Sequence, residues 1–203
     1  MNAVYQRKLQ IVVLAAGFSS RLGQPKALAR VHGMGLLRRT LTTVSRLRAA
    51  RVIAVVPPNA PAYRLEGRGM KITWVANSQR AQGLSSSVRL GIAKARFAAA
   101  ILLLPADLPN LKSSELQRLV RRWQSSPRRL IARHAERCAA TPVVLPRWLY
   151  SRALTTVGDV GLREMIEQLP PERRVLVELP SAAMDIDTPS ALREARRRRP
   201  ARP

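Results

Sequence analysis

The sequence predicts an α/β fold, because short runs of aliphatic residues alternate along the chain with stretches whose apolar residues recur at helical spacing. Strands that are apolar on both faces are typical of a mostly parallel sheet with helices on either side. The chain has 203 residues, 46% of them hydrophobic, which suits one domain with a single core. We therefore expect one Rossmann-like, three-layer domain over residues 1–199, followed by a loose tail at residues 200–203.

The first half of the chain carries three strand predictions and two helix predictions. Leu9–Leu14 is aliphatic and ends at a glycine-containing loop, so it predicts the first strand. A helix follows, with these residues at helical spacing: Leu36, Leu37, Leu41, Val44 and Leu47. The runs Val52–Val56 and Lys71–Val75 predict two more strands. Ser85–Ser87 lie where the next helix is expected to begin.

The second half begins with Ala100–Leu104, a fully apolar run that predicts a buried strand. Ser114 and Gln117 have capping-box spacing and predict the start of a helix at Ser114. Thr188 followed by Pro189 predicts the start of the last helix. The remaining predicted elements are strands at Leu130–Ala132, Val143–Leu145 and Val175–Val177 and a helix around Leu162–Leu169.

Charge is the unusual feature of the composition. There are 36 basic and 12 acidic residues, a formal net charge of +24. Such a surface attracts polyanions, but only 4% of the residues are aromatic, which leaves few platforms for stacking bases. A general arginine bias and a solvated basic tail explain the excess of basic residues better than nucleic-acid binding does. We therefore expect no nucleic-acid partner.

Cysteine usage and the apolar runs bear on the compartment. The single cysteine, Cys138, excludes an internal disulfide framework and a four-cysteine zinc site, and it fits a reducing compartment. No apolar run is long enough to span a bilayer. The stretch Leu9–Ala16 follows Arg7 and Lys8, but it is too short for a signal peptide and contains Gln10. The expected location is the cytoplasm, without membrane association.

The loop after the first strand contains the strongest motif, Leu14-Ala-Ala-Gly-Phe-Ser-Ser-Arg-Leu-Gly-Gln-Pro-Lys26. Its small residues, Ala15 to Gly17, let backbone N–H groups approach a phosphate or a base. Arg21 offers a forked grip on phosphate oxygens, and Lys26 offers a point charge. The loop is neither a Walker loop nor a G-x-G-x-x-G dinucleotide loop.

This loop resembles the signature loop of the MobA-like nucleotidyltransferases, and the closest branch is the molybdenum cofactor cytidylyltransferases. Four further stretches are similar to family motifs in order and spacing: Asn77–Gly91, Leu104–Pro109, Gly158–Arg163 and Met184–Pro189. The resemblance covers nearly the whole chain. It implies the nucleotide-diphospho-sugar transferase-like variety of the α/β fold.

The resemblance also implies a reaction, in which a phosphate oxygen of an acceptor attacks the α-phosphorus of a nucleoside triphosphate and pyrophosphate leaves. Arg21, Lys26 and Asp107 would be catalytic, and Asp107 and Asp187 would bind Mg²⁺, with Asp185 a less certain partner. The nucleotide would lie against Leu14, Ala15, Ala16, Gly17, Asn77, Gly83 and Ser85. The acceptor would contact Gly158, Asp159 and Arg163. Structural alternatives are an ordinary helix cap for Ser85, Asp185 and Asp187 and a loop cap for Asp107.

Leu-Ala-Ala-Gly together with three serines favours CTP as the donor, because the guanylyl branch usually has Leu-Ala-Gly-Gly. The implied acceptor is molybdopterin or its molybdenum form, with a molybdoenzyme or its maturation chaperone as a further partner. One departure affects the acceptor side: Ala140-Thr141-Pro142 stands where the branch commonly has Gly-His-Pro. Two others are Ala106 before Asp107, in place of glycine, and Ser190-Ala191 after Pro189, in place of an acidic pair.

Three other functions are compatible with the sequence. The first is a nucleotidyltransferase of the same fold that acts on another phosphorylated metabolite. The second is an arginine-rich nucleic-acid-binding protein, which would bind with a steep salt dependence. The third is a catalytically silent relative that binds nucleotide without releasing pyrophosphate.

Overall fold

The aliphatic runs assemble into one seven-stranded sheet in the computed structural model, which describes residues 9–49, 51–135, 138–159 and 161–198. The strands are β1 (Leu9–Leu14), β2 (Arg30–Val31), β3 (Met34–Gly35), β4 (Arg51–Val56), β5 (Ile72–Ala76), β6 (Ala100–Pro105), β7 (Leu130–Ala135), β8 (Cys138–Pro146) and β9 (Arg174–Glu178). The order across the sheet is β5-β4-β1-β6-β8-β7-β9, and β2 and β3 form a separate antiparallel hairpin.

Seven α-helices accompany these strands in the described part of the chain. They are α1 (Leu36–Ser45), α2 (Pro61–Glu66), α3 (Leu84–Lys94), α4 (Ser113–Ser125), α5 (Tyr150–Leu154), α6 (Gly161–Glu167) and α7 (Pro189–Arg197). Short 3₁₀ turns occupy Lys26–Leu28, Arg80–Gln82, Arg147–Leu149, Pro171–Arg173 and Pro180–Ala182. None of the described helices combines the length and the apolar character that crossing a bilayer requires.

The prediction of a mostly parallel sheet is confirmed. β1 pairs in parallel with β4 and β6, β4 with β5, and β7 with β9. In the described part of the seven-stranded sheet, β8 alone runs against its neighbours, β6 and β7. The carboxyl ends of β1, β4 and β6 therefore meet at one edge of the sheet, where ligands collect in open α/β folds.

The three-layer arrangement follows from the two faces of the strands. Alternate residues of β1 point to opposite sides: Ile11 and Val13 pack into the core beneath α1 and α4, and Val12 and Leu14 pack into the core beneath α3, α5 and α6. Trp123 of α4 is almost fully buried on the first side. Burial on both faces explains why these strands read as continuous aliphatic runs.

The predicted capping box at Ser114 is wrong. Helix α4 begins at Ser113, and the residue at its N-cap, Lys112, makes no side-chain cap. The first turn is tied instead to a distant segment, because Ser181 donates from its backbone N and its Oγ to the Glu115 carboxylate, at 3.1 and 2.6 Å to Oε2. Thr188 does cap its helix as predicted, accepting a hydrogen bond from the Ala191 N–H.

Several short elements have no counterpart among the predictions, namely the β2–β3 hairpin and helices α2 and α5. β7 and β8 are also longer than expected. The predicted tail at residues 200–203 lies outside the described residues, as do Arg7 and Lys8.

Candidate functional site

A cavity of about 500 Å³ opens at the carboxyl ends of β1 and β6. Its walls are the loop after β1, the turn that leads into α3, the loop after β6 and the segment before α7. The predicted site residues that line it are Leu14, Ala15, Ala16, Gly17, Arg21, Lys26, Gly83, Asp107, Asp159 and Asp187. Residues that lie far apart in the sequence thus meet in one cavity.

Backbone hydrogen bonds between the loops hold this edge of the sheet together. The Ala15 N–H donates to the Val55 carbonyl at 2.8 Å, and the Ala106 N–H donates to the Leu14 carbonyl at 3.0 Å. The Ile186 N–H donates to the Asp107 carbonyl at 3.2 Å, which fixes the segment containing Asp187 beside the end of β6. The positions of Asp107 and Asp187 are therefore set by the backbone.

The loop after β1 is a tight turn centred on Ser19. Ser19 has a positive φ of 57°, its carbonyl accepts from the Leu22 N–H at 3.0 Å, and its Oγ accepts from the Lys26 N–H at 2.9 Å. These bonds bring the two cations of the loop, Arg21 and Lys26, to the same side of the cavity. Gly17 borders the open space, and a Cβ built there meets no heavy atom within 4 Å.

Two carboxylates and two cations form an ion-pair cluster at one end of the cavity. Lys26 Nζ donates to Asp107 Oδ2 at 2.8 Å and also to Asp187 Oδ1. Arg21 donates from Nη2 to Asp187 Oδ2 at 2.6 Å. The ammonium group of Lys26 thus lies between a carboxylate of the loop after β6 and one of the segment before α7, with the Arg21 guanidinium beside them.

The pKa values of this cluster follow from burial and charge. Burial raises the pKa of Asp107 above its ordinary value, and the attraction of Lys26 offsets only part of that rise. Burial alone would lower the pKa of Lys26. The charges and hydrogen bonds of Asp107 and Asp187 outweigh this effect of burial, so the pKa of Lys26 lies above its ordinary value. For Asp187, burial favours a higher pKa, yet the charges and hydrogen bonds of Lys26 and Arg21 bring the pKa below its ordinary value. Both members of the Lys26–Asp187 pair are therefore stabilised in their charged forms.

The carboxylate oxygens of Asp107 and Asp187 are suitable ligands for a hard divalent cation that takes its remaining ligands from water or substrate. Asp107 Oδ1 is buried and has no hydrogen-bond partner in the described structure, so a carboxylate oxygen is left for another ligand. Within the described ranges, no group of three or more His, Cys, Asp and Glu side chains could hold a metal. Mg²⁺ is commonly held by one or two carboxylates together with water and substrate phosphates, so Asp107 and Asp187 suffice.

The start of helix α3 forms the opposite wall of the cavity. Gly83 has a φ of 84°, and a Cβ there would lie 2.8 Å from both Asp159 Oδ1 and the Gly158 carbonyl carbon. The Leu84 N–H donates to Asp159 Oδ1 at 2.7 Å, and the Ser85 N–H donates to the Gly158 carbonyl at 2.9 Å. Gly158 and Asp159 thus satisfy the first N–H groups of α3.

Asn77 and Ser85 lie beneath the cavity wall rather than in it. Asn77 is fully buried, and its Nδ2 donates to the hydroxyls of Ser86 and Ser87 at 2.8 and 2.9 Å. The hydroxyl of Ser85 accepts from Arg89, whose guanidinium also binds the Thr156 carbonyl at 2.7 Å. Their observed contacts position α3, whose Ser87 does line the cavity.

Three further predicted residues are not part of the cavity lining, namely Gly158, Asp185 and Arg163. Asp185 is exposed, two residues before Asp187. Arg163 is also exposed, with an ion pair to Glu167 one helical turn away.

Sequence reasoning gave no role to Phe18 and Arg80, which both line the cavity. The Arg80 guanidinium carbon lies 4.0 Å from the centre of the Phe18 ring. Phe18 occupies a variable position of the loop motif, and Arg80 lies three residues before Gly83. Their contact depends on how two loops pack, so neither position stands out in the sequence.

Comparison with known proteins gives one family match and several relatives. The profile of the MobA-like NTP transferase domain matches residues 11–174. A probable molybdenum cofactor guanylyltransferase of Rhodopirellula baltica is 31% identical over 134 residues, 59% of this chain and 58% of that protein. A molybdenum cofactor guanylyltransferase of Xanthomonas euvesicatoria is 33% identical over 115 residues, 57% of this chain and 55% of that protein. The bifunctional protein GlmU of Burkholderia multivorans is 32% identical over 114 residues, 55% of this chain and 25% of that protein.

The chain therefore spans little more than half the length of these guanylyltransferases and about a quarter of GlmU. Among solved structures, Rv0371c of Mycobacterium tuberculosis superposes with a TM-score of 0.76 at 23% identity, over 93% of this chain and 98% of that one. A second structure of Rv0371c, described as its complex with manganese, gives a TM-score of 0.73 at 21% identity, over 93% of this chain and 97% of that one. These similarities establish the fold, which is that of the nucleotide-diphospho-sugar transferases.

Proposed function

The chain belongs to the MobA-like NTP transferase family, and from this premise we propose that it is a nucleotidyltransferase. It transfers a nucleoside monophosphate from a triphosphate to a phosphate group of an acceptor and releases pyrophosphate. The observation that carries the proposal is the position of Lys26 Nζ between Asp107 and Asp187, at one end of a cavity bordered by the loop after β1. Basic side chains that can bind phosphate oxygens and carboxylates that can bind a divalent ion occur together at this end of the cavity.

In this reaction an acceptor phosphate oxygen attacks the α-phosphorus, and the bond from that phosphorus to the bridging oxygen of pyrophosphate breaks. The protein's part is positioning and charge neutralisation. Lys26 stabilises the α-phosphate region, and Arg21 stabilises the departing pyrophosphate. The Lys26 ammonium group donates to both carboxylates, which leaves one of its three N–H donors for a phosphate oxygen.

Asp107 and Asp187 are the residues that would hold Mg²⁺. The unpartnered Oδ1 of Asp107 supports this assignment, as does the family resemblance. A divalent cation held by these carboxylates would supply positive charge to stabilise phosphate oxygens. The manganese complex of Rv0371c adds support, since a divalent ion binds a protein of the same fold.

The proposed donor is CTP, on the resemblance of Leu14–Gly17 to the loop of the cytidylyltransferase branch. GTP is the competing donor, because two relatives are named guanylyltransferases. The proposed acceptor is molybdopterin or its molybdenum form, which agrees with those names. The similarity to GlmU is consistent with the alternative that the acceptor is a different phosphorylated metabolite.

A pyrophosphate-release assay tests the function. The full chain is incubated with Mg²⁺ and each of CTP, GTP, ATP and UTP, with and without molybdopterin. We expect release that requires both Mg²⁺ and the acceptor and is fastest with CTP. Asp107→Asn should lower the rate at least about 100-fold, since it removes a charge at the reacting phosphates. Glu172→Gln, which removes an exposed carboxylate elsewhere, is the matched control and should leave the rate unchanged.

Other outcomes separate the alternatives. Triphosphate binding without pyrophosphate release, with any acceptor tried, would indicate a catalytically silent relative. Release with a sugar phosphate, and not with molybdopterin, would replace the proposed acceptor. Undiminished release by Asp107→Asn would contradict the assignment of Asp107.

A further inference from the structure

Arg80 is a cation of the cavity wall that the proposed reaction does not use. It begins the short turn Arg80–Gln82 that leads into α3, and its guanidinium stacks on the ring of Phe18, a residue that is 60% exposed. Arg80 and Phe18 also line a second cavity of about 300 Å³, together with Tyr63 and the prolines after β4. The stacked pair therefore forms a partition between the two cavities.

The hydrogen bonds of Arg80 within the protein do not explain its position. Its Nη2 donates to the Gly17 carbonyl at 3.4 Å, which is long for a hydrogen bond, and its Nε is buried without a partner. No carboxylate of the described residues forms an ion pair with it. A buried donor without a partner destabilises a protein, so such a group requires an explanation. A ligand cannot reach the buried Nε itself, but Nη1 forms no hydrogen bond in the described structure and is left for a ligand with strong acceptors.

The location of Arg80 indicates which part of a nucleotide it meets. The ion-pair cluster of Arg21, Lys26 and the two aspartates lies at the phosphate end of the main cavity. Arg80 instead contacts Gly17 and Phe18, and the small and apolar residues Ala81 and Leu84, which follow it in the sequence, also line the cavity. Small apolar surroundings suit the flat face of a base.

We propose that Arg80 is the residue that selects the donor's base, favouring bases that present two adjacent hydrogen-bond acceptors. A guanidinium group offers two parallel N–H donors, and it pairs with two neighbouring acceptors as it does with O6 and N7 of guanine. Cytosine offers the same pattern at O2 and N3. Adenine and uracil place a donor beside each acceptor on the corresponding edges, so they cannot satisfy both N–H groups.

This inference rests on the proposed function, and it narrows the donor to CTP or GTP. The acceptor pair of cytosine lies next to the glycosidic bond and that of guanine lies away from it, so with the sugar in one position Arg80 pairs with one of these two bases and not with both. Stacking on Phe18 strengthens the selection, because it holds the guanidinium plane before the nucleotide arrives.

The test is equilibrium binding of CTP, GTP, ATP and UTP to the full chain with Mg²⁺, measured by calorimetry. The wild-type protein should bind CTP or GTP at least about tenfold more tightly than ATP and UTP, as expected for one bidentate contact. Arg80→Met should bring the preferred triphosphate to the level of the others. Arg80→Lys keeps the positive charge without the fork, so it should lose the preference while binding ATP and UTP as the wild type does.

Arg96→Met is the matched control. Arg96 stacks on the exposed Phe97 at 4.6 Å, which makes it the same kind of pair outside the cavity, so its removal should leave all four affinities unchanged. If Arg80→Met instead weakened the binding of all four triphosphates equally, Arg80 would bind a phosphate group and not the base. That result would overturn the inference. An unchanged preference would overturn it as well. If the wild type binds no triphosphate, the proposed function itself fails.

Discussion

Gly17 and Gly83 border the same cavity, yet the protein requires glycine at these positions for different reasons. Gly17 has open space where a Cβ would be, so a side chain there meets no protein atom. Gly83 combines a φ of 84° with a Cβ position 2.8 Å from the Gly158 backbone. The first glycine leaves room for a ligand, whereas the second is required by the fold.

Gly17→Ala should therefore affect binding and not stability. We expect its melting temperature to stay close to that of the wild type, while its affinity for triphosphate falls about tenfold, a loss of ~1.4 kcal/mol. Calorimetric binding and a thermal melt on the same preparation measure the two quantities. Gly83→Ala is the contrasting control: it should lower stability by about 1–3 kcal/mol, since its backbone conformation is almost exclusive to glycine. Equal loss of stability in both variants would contradict this distinction.

At the residue scale, the sequence is informative where a motif concentrates several functional residues within one segment. Gly17, Arg21 and Lys26 all lie within one loop, and the structure places all three at the cavity. The contact between Lys26 and Asp187 spans 161 residues, so no local spacing could predict it without the family resemblance. Arg80 was missed because its partner, Phe18, is remote in sequence and variable in the motif.

At the scale of elements, helix α3 depends on a loop that lies 75 residues further along the chain. The first N–H groups of a helix have no partners within it, and here Asp159 Oδ1 and the Gly158 carbonyl accept two of them. A negative charge at this end also interacts favourably with the helix dipole. Asp159 is thus a cap supplied from another element, and this contact gives it a structural role besides the predicted acceptor role.

Asp159→Ala should consequently destabilise the chain by about 1 kcal/mol, the usual effect of losing a helix cap. For a chain of this length that corresponds to a fall in melting temperature of about 2–4 °C. Asp159→Asn keeps an oxygen acceptor at the same position, so it should melt within about 1 °C of the wild type. A thermal melt followed by circular dichroism measures both. Equal destabilisation by Ala and Asn would show that charge, and not the hydrogen bond, is what α3 requires.

The long strands were predictable because a strand that is buried on both faces consists of consecutive aliphatic residues, as in β6. The short ones were not, since a hairpin of two-residue strands or the six-residue helix Pro61–Glu66 has no hydrophobic period to detect. The direction of β8 was equally hidden. Its apolar run Val143–Leu145 would fit a parallel or an antiparallel strand, and the connection from β7 decides between them.

The excess of positive charge affects the stability of the folded chain as a whole. The chain carries 36 basic against 12 acidic residues, and few of these form ion pairs with each other in the described structure. Like charges spread over a compact surface repel one another and lower the stability of the folded state. The interior cluster of Lys26, Asp107 and Asp187 is an exception, because its opposite charges are partly buried and in contact.

This repulsion predicts a stability that rises with salt. Between 10 and 150 mM NaCl the screening length falls from about 30 to about 8 Å, so the repulsion between distant surface arginines is largely removed. We expect the melting temperature to rise by several degrees over this interval, and by less between 150 and 300 mM, where little repulsion is left to screen. That second interval is the internal control, since a general effect of salt on apolar surface would continue there undiminished. A melting temperature that stays level or falls from 10 to 150 mM would mean that the cations are already compensated at the surface, and the +24 charge would then carry no cost in stability.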